Sequence, residues 1–169
     1  MIGSTAMKLV AAICLGLFAT CGNKPPITTP PVVSARANIL VNVDEHGVAL
    51  QGHDAVAYRD GAPVAGSVDH SSNHAGATYW FASAEHKTTF DAEPAKYAPR
   101  YGGYCAYAAS QNRLSPVQID QFEIYEDHLL MFTNADFKQR FDAAPAASFK
   151  AAEAYWPDLV AKHGTPQQP

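Results

Sequence analysis

An apolar run of 11 residues, from Leu9 to Ala19, constrains the chain most, because it separates the first residues from the part that folds. Lys8 precedes the run, and small residues follow it. A membrane-spanning helix needs roughly 20 apolar residues, whereas a shorter run after a positive charge is typical of a secretory signal peptide. We therefore predict a signal peptide over residues 1–20 and an exported protein.

A second motif lies at the end of the predicted signal peptide. The segment Phe18-Ala19-Thr20-Cys21 resembles the lipobox of bacterial lipoproteins, in which the cysteine is lipidated and becomes the new N-terminus. The resemblance implies lipid on Cys21, a membrane anchor and a location on the periplasmic face of a bacterial membrane. The alternative is secretion into the periplasm without lipid, with Cys21 removed or left as a spare thiol. Residues 21–37 contain four prolines, which predict an extended, semi-rigid spacer.

The rest of the chain has the composition of one folded domain. Of the 169 residues, 47% are hydrophobic, which is enough for a sizeable core. Lysine and arginine total 12 against 16 aspartates and glutamates, and this mildly acidic balance excludes a nucleic-acid-binding surface. We predict a domain over residues 38–163 and a disordered tail over residues 164–169, and we identify no internal repeat.

Local patterns predict an α+β fold. Strands are expected in segments rich in β-branched and aromatic residues, namely 39–43, 55–58, 77–81 and the hairpin 122–132. Ser83 and Asn134 are suited to capping two helices, and Pro145 is suited to starting a third. Strands that come first and helices that come later predict small antiparallel β-hairpins with short helices, followed by C-terminal helices.

Counting the cysteines leaves one thiol in the predicted domain. Cys14 is lost with the signal peptide and Cys21 is lipidated or lost, so Cys105 stands alone. A lone thiol is unusual in an exported protein, and a dithiol redox catalyst is excluded because there is no resolving cysteine. Three roles stay open for Cys105: a buried inert thiol, a ligand for a soft metal ion, or a nucleophile.

Three motifs in their order along the chain resemble the YHS domain family, in particular its exported bacterial members. The motifs are Tyr79–Phe90 with Pro94 and Tyr97, flanked by Gly52–Tyr58 and Gly102–Tyr107. The resemblance covers about residues 44–157 and implies a core similar to the treble clef. In metal-binding members cysteines stand where this chain has Ala82 and His86, and of these two residues only His86 can bind a metal.

These observations lead to a principal hypothesis for function. A soft metal ion, copper first, would be bound by Cys105 together with His86 or His53, in part because the resemblance implies metal binding. His53 precedes Asp54, whose carboxylate either orients the imidazole or bonds to its own turn. The protein is then a non-enzymatic binding module of the cell envelope, since the sequence contains no recognisable catalytic constellation.

Two alternatives to metal binding stay open. In the first, Cys105 belongs to the core and the protein is a structural or interaction protein of the envelope. Its Gly-Gly-Tyr turn would then shape a groove lined by Tyr101, Tyr104 and Tyr107. In the second, Cys105 is the nucleophile of an enzyme with a histidine as base. The sequence offers no third group to orient that base, so we rank this alternative last.

Overall fold

A computed structural model describes residues 38–166. These residues form one compact unit with a hydrophobic core of its own. The predicted signal peptide, the predicted lipid on Cys21 and the spacer over residues 21–37 lie outside the described residues. None of the helices in residues 38–166 combines the length and the apolarity that crossing a membrane requires.

Short strands and short helices alternate along the described chain. The strands are β1 (Asn38–Ile39), β2 (Ser67–His74), β3 (Ala77–Phe81), β4 (Gln118–Tyr125), β5 (His128–Phe132) and β6 (Thr165–Pro166). The α-helices are α1 (Ala84–Ala92), α2 (Pro94–Tyr97), α3 (Ala106–Ser110), α4 (Ala135–Asp142) and α5 (Pro145–His163). Turns of 3₁₀ helix lie at Leu50–Gly52, Ala57–Asp60 and Arg100–Gly103. The strands pair antiparallel as β1–β6, β2–β3 and β4–β5, which confirms an α+β fold with small antiparallel sheets.

Some predicted boundaries are wrong. The strand predicted at 55–58 is part of a 3₁₀ turn, because the carboxylate of Asp54 accepts bonds from the backbone that follows it and winds the chain into a turn. The first strand is confined to Asn38–Ile39. The predicted tail begins too early, since Thr165–Pro166 pairs with that strand in an antiparallel ladder.

The described fold contains an internal repeat, so the expectation of no repeat was wrong. Hairpin β2–β3 begins at Ser67 and hairpin β4–β5 begins at Gln118, 51 residues later, and every strand boundary of the first hairpin recurs at this distance. Both hairpins carry a register shift at the same place in their first strand. Each hairpin is followed by a helix, α1 or α4, and then by a helix with proline as its first residue.

The sequence carries the signature of this repeat. Phe81 begins the segment FASAEHKTTFDAEPA, Phe132 begins the segment FTNADFKQRFDAAPA, and the two are identical at eight of fifteen positions. The shared phenylalanines pack against each other in both halves. The ring centroids of Phe81 and Phe90 are 4.9 Å apart, and those of Phe132 and Phe141 are 5.4 Å apart. The domain is therefore built from two copies of one supersecondary unit.

Each half opens with a left-handed turn. Every residue of Leu50–Gly52 has a positive φ, and so has every residue of Tyr101–Gly103. A side chain with a Cβ reaches this region at a cost of about 1–2 kcal/mol, so contacts elsewhere must hold the turns. The second turn is held by the segment after β1, where the Asn42 N–H donates to the Gly102 carbonyl at 2.8 Å. A Cβ on Gly102 would collide with the carbonyl oxygen of Leu40, so this position requires glycine.

The two halves share one hydrophobic core. The ring of Tyr58 in the first half packs edge-on against Phe122 in the second, with centroids 4.8 Å apart. The Tyr58 hydroxyl donates to the carbonyl of Ile119 at 3.2 Å. Helix α5 is longer than α2, its counterpart, and adds Ala152 and Leu159 to the core. Burial of these contacts fixes the two halves in one domain.

Candidate functional site

Cys105 lies in the core of the second half, directly before helix α3. Its side chain is 0% exposed, and its sulfur accepts a hydrogen bond from the Ala108 N–H at 3.5 Å. Its own N–H donates to the Ser115 carbonyl, and its backbone forms a bridge with the buried Met131. A thiol in this place acts as a small core residue and helix cap, which is the first of the three roles predicted for it.

Asp54 occupies the equivalent position of the first half, 51 residues before Cys105. Its carboxylate is 0% exposed and accepts hydrogen bonds from three backbone N–H groups. They belong to Val56 at 2.8 Å, Ala57 at 3.3 Å and Ala82 at 2.8 Å. A buried carboxylate needs such partners, because an unpaired charge in the core is very unfavourable. The predicted bonding of Asp54 to its own turn is therefore confirmed.

The imidazole of His86 completes the hydrogen bonding of Asp54. Nδ1 of His86 lies 2.7 Å from Oδ2 of Asp54, and the His86 side chain is 31% exposed. Because Nδ1 must carry the proton of this bond, Nε2 of the neutral ring is an acceptor. The imidazole that Asp54 orients is thus His86 and not His53. The His53 ring lies instead 3.2 Å from the carbonyl oxygen of Leu50.

The second half has no imidazole at the equivalent position. Phe137 stands where the first half has His86, and its ring packs on Tyr107 with centroids 5.4 Å apart. Within residues 38–166, no group of three or more histidine, cysteine, aspartate or glutamate side chains is arranged to hold a metal ion. The structure therefore does not bring the three predicted ligands, Cys105, His86 and His53, together as one metal site.

Cavities border both left-handed turns. The smaller one, of about 230 Å³, lies beside Leu50 and Gln51, and the Gln51 side-chain amide is paired with the Val117 carbonyl at 3.5 Å. The larger one, of about 330 Å³, lies beside Tyr101 and Gly102. The larger cavity is the better candidate for a binding site, because its volume is within the usual range of ligand pockets and aromatic side chains line it.

One of the three predicted groove tyrosines lines the larger cavity. Tyr101 is part of its wall, whereas Tyr104 and Tyr107 are not among the residues that line it in the described chain. Tyr107 packs on Phe137 instead. Tyr104 is partly buried, and this burial raises the pKa of its hydroxyl. Of the predicted groove residues, only Tyr101 lines the cavity, together with neighbouring residues that the sequence analysis did not predict.

Those neighbours make the walls of the larger cavity mainly apolar. The apolar lining includes Leu40, Val41, Tyr79, Pro99 and Trp156, and the polar lining includes Asn38, His74 and Arg100. Leu40 and Val41 belong to the segment after β1 that crosses the glycine turn. The absence of a side chain on Gly102 lets this segment approach closely, so the turn and the segment build one wall together.

The hydroxyl of Tyr101 is buried behind the wall of this site. The side chain is 2% exposed, and within residues 38–166 no partner of the hydroxyl meets strict hydrogen-bond geometry. Burial raises the pKa of Tyr101, and the charge of the Glu153 carboxylate and a hydrogen bond with it raise the pKa further, so the group keeps its proton. The Glu153 carboxylate is therefore the acceptor available to this buried donor.

An ion pair lies beside this hydroxyl. Arg100 donates to Glu153 twice, from Nε at 2.9 Å and from Nη2 at 2.6 Å. These bonds raise the pKa of Arg100 and lower the pKa of Glu153. The guanidinium that lines the cavity is therefore already neutralised by a carboxylate of the same chain.

Sequence reasoning missed the pair of Asp54 and His86. The two residues are 32 positions apart and no local pattern links them. The repeat was the available signal, because it makes Asp54 equivalent to Cys105 and His86 equivalent to Phe137. This equivalence places the Cys105 thiol in the second half and the His86 imidazole in the first half, at positions that do not correspond to each other.

Comparisons of the chain with protein-family models, with curated proteins and with solved structures found no match. The α+β class rests on the strand pairing described above, and the candidate site rests on the geometry of residues 38–166. The resemblance to the YHS domain family remains a prediction from the sequence.

Proposed function

We propose that the protein is an exported binding module of the bacterial cell envelope that binds a small molecule in the cavity beside Tyr101. The proposal joins the predicted signal peptide and lipid anchor at Cys21 to a cavity of about 330 Å³. The observation that carries it is the mainly apolar lining of this cavity, which includes the rings of Tyr79 and Trp156. Contact with these walls would remove apolar surface of a ligand from water, which favours binding by about 25 cal/mol per Å².

The size and the surface of the cavity support this proposal. Ligand pockets typically have volumes of about 300–1,000 Å³, mainly apolar walls and a few polar groups that fix orientation. Here Tyr79 and Trp156 provide aromatic walls, and His74 and Arg100 provide polar groups. This arrangement corresponds to the groove alternative of the sequence analysis, in which Cys105 is a core residue.

The place of the cavity suits an anchored protein. Asn38, the first described residue, pairs with Pro166 and also lines the cavity. The proposed spacer over residues 21–37 and the lipid on Cys21 would therefore join the domain beside its binding site. They would hold the domain at the periplasmic face of a membrane, which is the partner we propose for the N-terminus.

The proposal includes membership of the YHS domain family and a core similar to the treble clef. The three motifs in their order support it, as does the α+β arrangement of small antiparallel hairpins and short helices. In this chain the family's metal positions hold Ala82 and His86. A role that does not depend on a closed metal site is consistent with that departure.

Copper or another soft metal ion is a second candidate ligand, at a different place. His86 supports it, since a carboxylate that orients an imidazole is the usual outer partner of a histidine metal ligand. Cys105 adds no support, because its side chain is 0% exposed. Anaerobic Cu(I) titration of residues 35–169 tests this candidate against His86→Phe and Cys105→Ala. Equally weak binding by all three proteins would rule it out.

Filling the cavity tests the proposed site. Ala95 lines the cavity as the second residue of helix α2, and the exposed Ala146 is the second residue of helix α5 in the other half. Acetophenone, titrated into ¹⁵N-labelled residues 35–169, should shift the signals of the Gly102 amide and the Trp156 indole. Ala95→Trp should abolish these shifts, and Ala146→Trp, the matched control, should preserve them. Equal binding by both variants would show that the cavity is not the site.

A further inference from the structure

We infer that residues 38–42, which we call the strap, are a detachable wall of the larger cavity, and that a ligand in this cavity holds the strap in place. The inference rests on the proposed function and specifies how the same site is regulated. Because the strap joins the domain to the proposed spacer, its attachment would couple the occupancy of the cavity to the membrane tether.

The strap forms part of the cavity wall. Its first four residues, from Asn38 to Val41, all belong to the lining, together with the rings of Tyr79 and Trp156. Its last residue, Asn42, lines the smaller cavity instead. A ligand in the larger cavity would therefore contact the strap, and detachment of the strap would return part of the apolar surface of that ligand to water.

Three glycines from separate elements make room for the strap. Gly76 lies in the turn between β2 and β3, Gly102 lies in the second left-handed turn, and Gly164 directly follows helix α5. A Cβ on Gly76 would collide with the end of the Ile39 side chain. A Cβ on Gly102 would collide with the Leu40 carbonyl oxygen, and one on Gly164 would collide with the Ile39 carbonyl oxygen. The strap thus lies in a track that only residues without a side chain leave open.

Few contacts hold the strap in this track. All five of its residues are only partly buried. Two residue pairs join it to Thr165–Pro166 at the end of the described chain. The Asn42 N–H donates to the Gly102 carbonyl at 2.8 Å, and the Asn42 side-chain amide donates to the Gly103 carbonyl at 3.1 Å. Segments with few buried contacts open at a lower free energy than the whole domain, so the strap can detach while the core stays folded.

Local opening of this kind makes ligand binding and strap attachment depend on each other. A ligand that binds only while the strap is attached favours the attached state by a factor of one plus the ratio of free ligand to its dissociation constant. The coupling is reciprocal, so a pull that detaches the strap lowers the affinity for the ligand. In the anchored protein, the proposed spacer over residues 21–37 would transmit such a pull.

Hydrogen exchange of the Asn42 amide measures the detachment of the strap. In residues 35–169, acetophenone at about nine times its dissociation constant should slow this exchange about tenfold, because the ligand must leave before the strap detaches. The control is the Phe137 amide, which donates to the Asn134 side chain at 2.9 Å at the start of helix α4. Among the described residues, none from helix α4 lines the cavity, so the exchange of Phe137 should change by less than about twofold.

Asn42→Ala tests whether this exchange reports the attachment of the strap. The variant removes the side-chain bond to Gly103 and leaves the lining of the larger cavity intact. Without ligand, it should lower the protection of the amide at position 42 by about fivefold. The matched control, Asn73→Ala, removes an exposed bond to Thr78 at 2.9 Å and should leave that protection within about twofold.

The outcomes separate the inference from the proposed function. If acetophenone shifts the Trp156 indole signal with saturation but leaves the exchange of Asn42 unchanged, the coupling is overturned and the proposed function survives. Equal slowing of the Asn42 and Phe137 amides would also overturn the inference, since both would then exchange by unfolding of the whole domain. So would wild-type protection in Asn42→Ala. If acetophenone leaves the Trp156 signal unchanged, the proposed function fails and the inference fails with it.

Discussion

We predict that Asp54→Ala lowers the free energy of unfolding of residues 35–169 by about 3 kcal/mol. The substitution deletes the acceptor of three backbone N–H groups and of the His86 imidazole. A net hydrogen bond contributes about 1 kcal/mol, and one to a charged group about 1.5–3 kcal/mol. The variant no longer buries a carboxylate, and the desolvation cost that it avoids offsets part of this sum, which leaves a loss near 3 kcal/mol. The free energy of unfolding of a whole domain is roughly 5–15 kcal/mol.

The matched control is Cys105→Ala, at the equivalent position of the second half. The sulfur there accepts one long bond of 3.5 Å from Ala108, so its removal should cost only about 1 kcal/mol. Asp54→Asn should be intermediate, because its amide oxygen still accepts hydrogen bonds on one side. Its NH₂ group cannot accept from the Ala82 N–H or from His86 on the other.

Urea unfolding followed by tryptophan fluorescence measures these differences. The slopes of the transitions must agree among the variants, so that a change of midpoint reports a change of stability. A loss for Asp54→Ala no larger than that for Cys105→Ala would refute the reasoning that a buried carboxylate organises the first half.

Three further predictions concern the glycine turn, the ion pair and the thiol. In urea unfolding, Gly102→Ala should cost more than about 2 kcal/mol, because its Cβ would collide with the Leu40 carbonyl. Gly61→Ala has space around it and should cost only about 1 kcal/mol. The pKa of Glu153 is lowered from its ordinary value of 4.5, so its carboxylate stabilises the folded chain above pH 4.5. This stability is lost as the pH falls through the lowered pKa. Glu153→Gln should therefore make stability depend less on pH in this range. Cys105 should react with Ellman's reagent only as fast as the chain unfolds, and rapid labelling of the native protein would contradict its burial.

Local chemistry predicted several elements correctly. Ser83 and Asn134 cap helices α1 and α4, each by accepting the backbone N–H three residues later. The aromatic and aliphatic residues of 122–132 form a hairpin with a tight turn, as expected. These features depend on neighbours in the chain, which is why a sequence alone specifies them.

The left-handed turns depend on distant contacts. Leu50, Gln51 and Tyr101 have φ of 52°, 52° and 54°, although none is glycine. The Asn42 N–H, which holds the second turn by its bond to the Gly102 carbonyl, belongs to a residue far from Gly102 in the sequence. Local propensity opposes this conformation at the three residues, so tertiary structure imposes it and no turn signal predicts it.

Some features of the candidate site could be predicted from the sequence, and others could not. The sequence associated the Gly-Gly turn with a groove, and a cavity borders this turn at Tyr101, where the paired glycines permit a close backbone approach. The partners of Tyr101, among them Trp156 and Glu153, come from a helix some 50 residues away and have no local signature. The repeat, in contrast, was visible in the sequence as two similar segments beginning at Phe81 and Phe132.

Titration of acetophenone into residues 35–169, into Ala95→Trp and into Ala146→Trp tests the central claim most directly. The two alanines are the second residues of equivalent helices, and only Ala95 borders the cavity among the described residues. If the cavity beside Tyr101 is the binding site, the Trp156 indole signal should shift with saturation in the wild type and in Ala146→Trp, and stay fixed in Ala95→Trp. If the Trp156 signal of the wild type does not shift on addition of acetophenone, the protein does not bind its ligand in this cavity.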